Sequence, residues 1–423
     1  MNRYRTSILV CFLLLQQLLF AQVQKVEVVG NLDLGFKLLR NGQPYYVKGV
    51  GGDVFMDKTV AAGGNSVRLW GAENAQAVLD DAQKHGLTVM LGLWMVPERH
   101  GFDYSDKWAC EDQLAQFKAV VSRFKNHPAL LMWGVGNEVD LAYTDFSVWN
   151  AVQEIAAMIH REDPNHPTCV VTAGIDAPEV QLIQEICKDI DILGINTYGD
   201  LPALPEKVKL FGWQKPYMVT EWGPNGHWEV AKTSWGAAVE QTSTEKAITY
   251  RDRYSNYIFK DSLNCLGSYV FLWGQKQETT PTWYGVFVGG KQTEAVDVLQ
   301  EVWTGNKPTN WAPQIDSFLL NGKMPTESFT ARRGAKVQVQ LNVQHAAPQT
   351  LTYKWEILPE SEFTKSGGDA EKRPDAIPVV MKADGGFAYH FKAPFQGGAY
   401  RLFVYIYDTH EQLACANFPF FIK

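Results

Sequence analysis

The chain has 423 residues, enough for two domains or for one barrel with an appended module. With 46% hydrophobic and 20% charged residues it is core-forming, which excludes a disordered or collagen-like chain. A net charge of −7 excludes a basic field for nucleic acid, and 13% aromatic residues suit a surface that stacks on flat ligands.

Residues 1–21 read as an export signal. Arg3 and Arg5 precede an apolar run over 8–20, and Ala21 offers a cut before Gln22. The run is short and is broken by Gln16 and Gln17, so no membrane span is expected. The expected location is periplasmic, extracellular or at the cell surface. Apart from Cys11, the cysteines (110, 169, 187, 265 and 415) are odd in number and scattered, without a CxxC pair. They read as small buried hydrophobes, not as a disulfide framework or zinc knuckle.

A hairpin is expected over 36–49, turning at Asn41-Gly42, the favoured two-residue turn. Eight apolar runs follow, at 45–50, 66–71, 88–95, 129–137, 168–174, 191–198, 216–222 and 267–273. They are nearly continuous, as strands buried on both faces should be. Amphipathic stretches between them, such as 73–85, 111–125, 146–161, 177–188 and 244–260, read as helices. Strands and helices in this alternation match a (β/α)8 barrel over 22–305. A doubly wound sheet is the alternative, but no glycine-rich phosphate turn follows the first strand. After Trp303 a polar, proline-bearing linker leads to short strands at 337–343, 352–357, 386–392, 400–407 and 414–422. These predict a small all-β, immunoglobulin-like sandwich over 306–423, with Trp355 in its core.

Active sites of such barrels lie at the carboxyl ends of the strands. Strand four ends in Asn137-Glu138, strand seven in Glu221-Trp222, and strand six in Asn196-Thr197-Tyr198. Strand two carries Arg68, and strand eight ends in Trp273. Aromatic residues in strand-end loops, among them Trp70, Trp94 and Trp228, could line a cleft for sugar faces. Two carboxylates at opposed strand ends meet the requirement for glycosidic cleavage: a protonated acid at the leaving oxygen and an ionised nucleophile at the anomeric carbon. His100 and His227 read as solvated loop residues. No metal-ligand spacing and no GxSxG elbow are present, so neither metal, cofactor nor esterase chemistry is expected.

These motifs resemble the signature of the retaining (β/α)8-barrel glycoside hydrolase clan. The stretch 36–94 is similar to the catalytic barrel of glycoside hydrolase family 2. Gly136-Asn137-Glu138-Val139 and Thr220-Glu221-Trp222-Gly223 resemble those of β-1,3-glucan-active hydrolases and glucanosyltransferases. The resemblance implies Glu138 as acid and later base, Glu221 as nucleophile, and Asn137 on the sugar 2-hydroxyl. It implies that Tyr198 donates to Glu221, that Arg68 lies beside Glu221, and that Trp273 floors the sugar site. Asn196 and Trp94 join them as expected substrate contacts. Few residues precede the barrel, so an exo-acting galactosidase with large amino-terminal domains is not expected.

The function expected is a secreted, monomeric retaining β-glycosidase that cuts a polysaccharide, with internal cleavage of β-1,3-glucan first. A β-mannanase or other β-1,4-glycan hydrolase and a β-glucan transglycosylase are the alternatives. A carbohydrate-binding protein with an inactive barrel is the non-enzymatic one.

Overall fold

The computed structural model describes residues 24–361, 368–386 and 388–423. Residues 1–21, read as an export signal, lie outside the described residues. Eight strands form a closed parallel barrel: Val47–Gly51, Ser66–Leu69, Thr88–Leu93, Leu130–Val135, Thr168–Ala173, Ile192–Asn196, Tyr217–Trp222 and Cys265–Val270. Strand eight pairs with both strand seven and strand one, which completes the ring. Strands three, four, seven and eight are buried along their whole length, as their unbroken apolar runs require.

Each strand is followed by a helix: Met56–Ala61, Ala75–Lys84, Lys107–Phe124, Val148–Glu162, Ala177–Ile186, Leu204–Leu210, Ser243–Arg253 and Glu294–Thr304. Capping sets several starts. The Asp106 carboxylate accepts from the backbone N–H groups of Trp108 and Ala109, so this helix begins ahead of the amphipathic stretch expected over 111–125. Asp176 caps the helix after strand five, and Thr242 with Glu245 forms a capping box after strand seven.

The amino-terminal segment differs from the expected hairpin. Gly35–Arg40 pairs with Val26–Asn31 on one side and only with Gln43–Pro44 on the other. Asn41 and Gly42 make the turn at φ 51° and 75°. The anticipated second arm is short because Val47–Gly51 is held between barrel strands two and eight. Val26, Phe36 and Leu38 pack instead with Leu131, Ile192, Met218 and Leu266. Backbone hydrogen bonds from Val26 to Asn165 and from Phe36 to Leu263 fix this cap just before strands five and eight. It closes the amino-terminal end of the barrel and leaves the opposite mouth as the open one.

From Gln314 onward the described residues form β-strands joined by turns and two short 3-10 helices, with no α-helix among them. One four-stranded sheet has the order Gln314–Leu320, Lys336–Gln344, Ala388–Lys392, Lys382–Gly385. The other runs Thr330–Ala331, Leu413–Ile422, Gly398–Tyr407, Thr352–Pro359. Alternation in Lys336–Gln344 sends Val337, Val339, Leu341 and Val343 into one shared core. Trp355, expected at the centre, is only partly buried and lies against Phe318 and Tyr389. These sheets are tied to the barrel by a buried polar cluster. Glu240 takes hydrogen bonds from Lys246, Thr280, Thr282 and Asn417, and Arg401 donates to the Ala238 carbonyl. No helix among the described residues is long and apolar enough to cross a membrane.

Leu38 is 1% exposed within the cap. Leu38→Ala should remove about 2–5 kcal/mol of stability, read as a lower urea midpoint. An unchanged midpoint would show that the cap does not support the barrel.

Candidate active site

The open mouth is a cavity of 1410 Å³, larger than the usual ~300–1,000 Å³ of small-ligand sites. Its lining includes Asn137, Glu138, Asn196, Tyr198 and Glu221, with Trp70, Trp94 and Trp228 among its aromatic rings.

Strand four ends at Val135, and the chain turns sharply to present Glu138. Gly136 sits at φ 72°, where a Cβ would come within 2.9 Å of Val139 Cγ1. Glu138 itself has φ 48°, a strained region for a side-chain-bearing residue. Its backbone N–H donates to the Val171 carbonyl at 2.9 Å, which holds the turn against strand five.

Glu221, on strand seven, is 6% exposed and accepts three hydrogen bonds. Arg68 Nη1 at 2.8 Å and Trp70 Nε1 at 2.7 Å both reach Oε1, and the Tyr198 hydroxyl reaches Oε2 at 3.0 Å. Three donors, one of them a buried guanidinium, suit a carboxylate that acts as acceptor only. Burial, and next the charge of Glu221, raise Tyr198 well above the ordinary tyrosine range, so its hydroxyl stays a donor.

Glu138 has the opposite surroundings. Burial first, and then the negative charge of Glu221, push it up to about 8. The donated hydrogen bond from Asn196 Nδ2 to Glu138 Oε1, at 2.8 Å, works against this rise. Thr220 Oγ1 donates to Asn196 Oδ1 at 2.9 Å, which fixes the amide with its nitrogen towards Glu138. With Oε1 accepting, the proton of Glu138 belongs on Oε2. Asn137 Oδ1 accepts from Arg68 Nη2 at 2.6 Å and from Asn196 Nδ2 at 3.2 Å. Its own NH2 is then the group that can face a ligand hydroxyl.

The structure thus brings Arg68, Asn137, Glu138, Asn196, Tyr198 and Glu221 into one hydrogen-bonded network, with Trp94 on the same cavity wall. Trp273 is a correction. It is 0% exposed, its indole donates to the Phe55 carbonyl, and its ring packs with Phe287 and Trp303 on the helix side of the barrel. The strand-eight ring in the cavity is Phe271, the residue directly after the strand. Trp70 is a contact that sequence reasoning left among the loop aromatics. It follows Arg68 by two, and alternation along a strand puts both on one side, which was the available signal. His227, read as solvated, is partly buried in the cavity wall, where burial lowers its pKa. Among the described residues, no group of three or more His, Cys, Asp or Glu is arranged to hold a metal ion.

Glu221→Gln should lower the pKa of Glu138 from about 8, because it removes a neighbouring negative charge. Carboxyl-carbon NMR titration reads this directly. An unmoved Glu138 would show that the two groups do not feel each other.

Residues 64–237 match the model of the glycosyl hydrolases family 2 TIM barrel domain. A β-glucuronidase of Paenibacillus borealis is 25% identical over 267 residues, covering 57% of this chain and 44% of that protein. Among solved structures, the β-D-glucuronidase of Dictyoglomus thermophilum aligns with a TM-score of 0.51 and 20% identity, over 68% of this chain and 54% of that one. β-Glucuronidase 2 of Bacteroides uniformis, covalently bound to cyclophellitol-6-carboxylate aziridine, aligns at 0.52 and 15% identity, over 94% of this chain and 48% of that one. At these identities the two structures speak to the fold alone. The chain spans about half or less of the length of these relatives. Over residues 64–237 its closed barrel thus resembles the TIM barrel domain of the glycosyl hydrolases of family 2.

Proposed function

We propose that the protein is a retaining β-glycoside hydrolase in which Glu221 is the nucleophile and Glu138 the acid and later the base. The observation that carries this reading is the unequal treatment of two carboxylates in one cavity. Glu221 is surrounded by donors, while Glu138 is pushed up to about 8 and keeps its proton at neutral pH. In the first step Glu221 Oε2, which has one donor against two at Oε1, attacks the anomeric carbon. The bond to the leaving oxygen breaks, and that oxygen takes the proton of Glu138. In the second step Glu138, now ionised, removes a proton from water. The water oxygen displaces Glu221 and restores the carboxylate. The Asn137 amide donates to the sugar 2-hydroxyl, a contact that strengthens in the transition state.

The large cavity with its several rings supports a glycan chain as substrate. Internal cleavage of β-1,3-glucan, expected from the sequence, is one arm of the substrate test. The names of the relatives favour a second, a β-D-glucuronide. Export and a monomeric state belong to the same proposal.

The acid must be protonated, so kcat/KM should fall as pH rises through about 8. Glu221→Gln should lose activity on the order of 10⁴-fold on every substrate. Glu138→Gln should lose about 10²–10⁴-fold on poor leaving groups, but far less in forming the glycosyl-enzyme from a dinitrophenyl glycoside. Equal losses on good and poor leaving groups would remove Glu138 from the acid role.

A further inference from the structure

Outside the two carboxylates already described, the cavity wall carries six more: Asp140, Asp176, Glu179, Asp200, Glu229 and Glu278. Burial, and then neighbouring carboxylates, lift Asp140 to about 7 and Glu179 to about 9, so these two hold protons near neutrality. Glu229 is spent on structure, since its Oε2 accepts from the backbone N–H groups of Gly199 and Gly226.

Glu278 is different. It is 4% exposed, and its Oε2 accepts no hydrogen bond. Lys276 Nζ lies 2.9 Å from that oxygen, an ion pair off the hydrogen-bonding direction. On the other side, His227 Nε2 is 3.9 Å from Oε1. Oε2 is closed off against the ammonium, so a donor from the cavity would meet Glu278 at Oε1, beside His227. Its charge reaches Tyr198, which donates to Glu221, so it stands within electrostatic range of the reacting centre.

Lys276 is the one ammonium among the lining residues described, and it is already committed. It pairs with Glu278, donates to the Gly368 carbonyl, and lies over the Phe271 ring. Gly368 comes from the all-β part of the chain. It sits at φ 70°, and a Cβ there would stand 2.8 Å from Lys276 Nζ, so a side chain would be strained and would push the ammonium aside where the segment meets the pair. Asp369 and Glu371 hold the segment in place, Asp369 on Arg99 and His100, and Glu371 on the Thr279 backbone N–H.

We propose that Glu278 selects the sugar: it accepts hydroxyl groups of an uncharged glycosyl unit and excludes the carboxylate of a uronide, while Lys276 orients it. This rests on the retaining-glycosidase reading and narrows its substrate to neutral β-glycosides. A uronate would need a free cation, and here it would meet a carboxylate with its ammonium already paired.

The test uses the full chain and one reactive scaffold with and without the charge. Labelling rates with a cyclophellitol aziridine and with its 6-carboxylate are compared, alongside kcat/KM on nitrophenyl β-glucoside, galactoside, mannoside, glucuronide and galacturonide. The wild type should favour the neutral member at least ~10-fold in either format. Glu278→Gln should lose about 10- to 100-fold on neutral sugars and narrow or invert the gap, because Lys276 is freed. Lys276→Met, a second variant should the first not fold, should keep the neutral preference. A wild type that prefers the uronide, or a gap that Glu278→Gln leaves unmoved, overturns the proposal. So does a Lys276→Met that loses the neutral preference. No labelling, no hydrolysis with any member and no new reducing ends from β-1,3-glucan, β-mannan or β-1,4-glucan is a different result, and overturns the retaining reading itself.

Discussion

The buried ion pair between Arg68 and Glu221 is the contact on which the rest of the site depends. Both side chains are almost out of solvent, at 2% and 7% exposure, so neither charge is tolerable without the other. The same guanidinium reaches Asn137 through its second nitrogen, and Asn137 meets Asn196, which donates to Glu138. One cation on strand two thus organises side chains from strands four, six and seven. It also fixes the negative charge that keeps a proton on Glu138. Two carboxylates confined in one low-dielectric mouth cannot both ionise cheaply, and their unequal donors decide which does.

The remainder of the molecule serves this mouth by closing everything else. The amino-terminal cap fills one end of the barrel with Val26, Phe36 and Leu38. At the other end the all-β part of the chain is anchored through Glu240, Arg401 and Asn417, and reaches the cavity through Gly368. Glu240 has buried partners on every side. Breaking that cluster would leave an uncompensated charge, so it fixes one relative placement of the two parts. Gly368 is therefore part of the cavity wall, and Asp369 and Glu371 hold it there through Arg99, His100 and Thr279.

Much of this was legible in the residues. Continuous apolar runs are the mark of strands buried on both sides, and a polar residue ending such a run has only the barrel mouth to occupy. That logic reached Arg68, Asn137, Glu138, Asn196, Tyr198 and Glu221. It failed at strand eight, where Trp273 was the obvious platform. The chain turns after Val270, so Phe271 meets the cavity and Trp273 goes to the helix layer. Trp70 was visible in kind but not in role, because a hydrogen bond to Glu221 depends on how the loop folds back. Glu278 lies in a loop far from any strand end. Only tertiary packing against Lys276 and Gly368 gives it significance. The strand Gln314–Leu320 escaped notice because a polar linker was expected up to its start and its alternation is imperfect.

The double displacement proposed for Glu221 makes a stereochemical commitment. Attack by Glu221 inverts the anomeric carbon once, and water inverts it again, so the first sugar released must keep the β configuration. Proton NMR of the product in the first minutes of hydrolysis, before mutarotation, reads this directly. The account requires β-anomer first, with α-anomer growing in later. Early α-anomer would mean that water attacks in a single displacement, and Glu221 would not be a nucleophile.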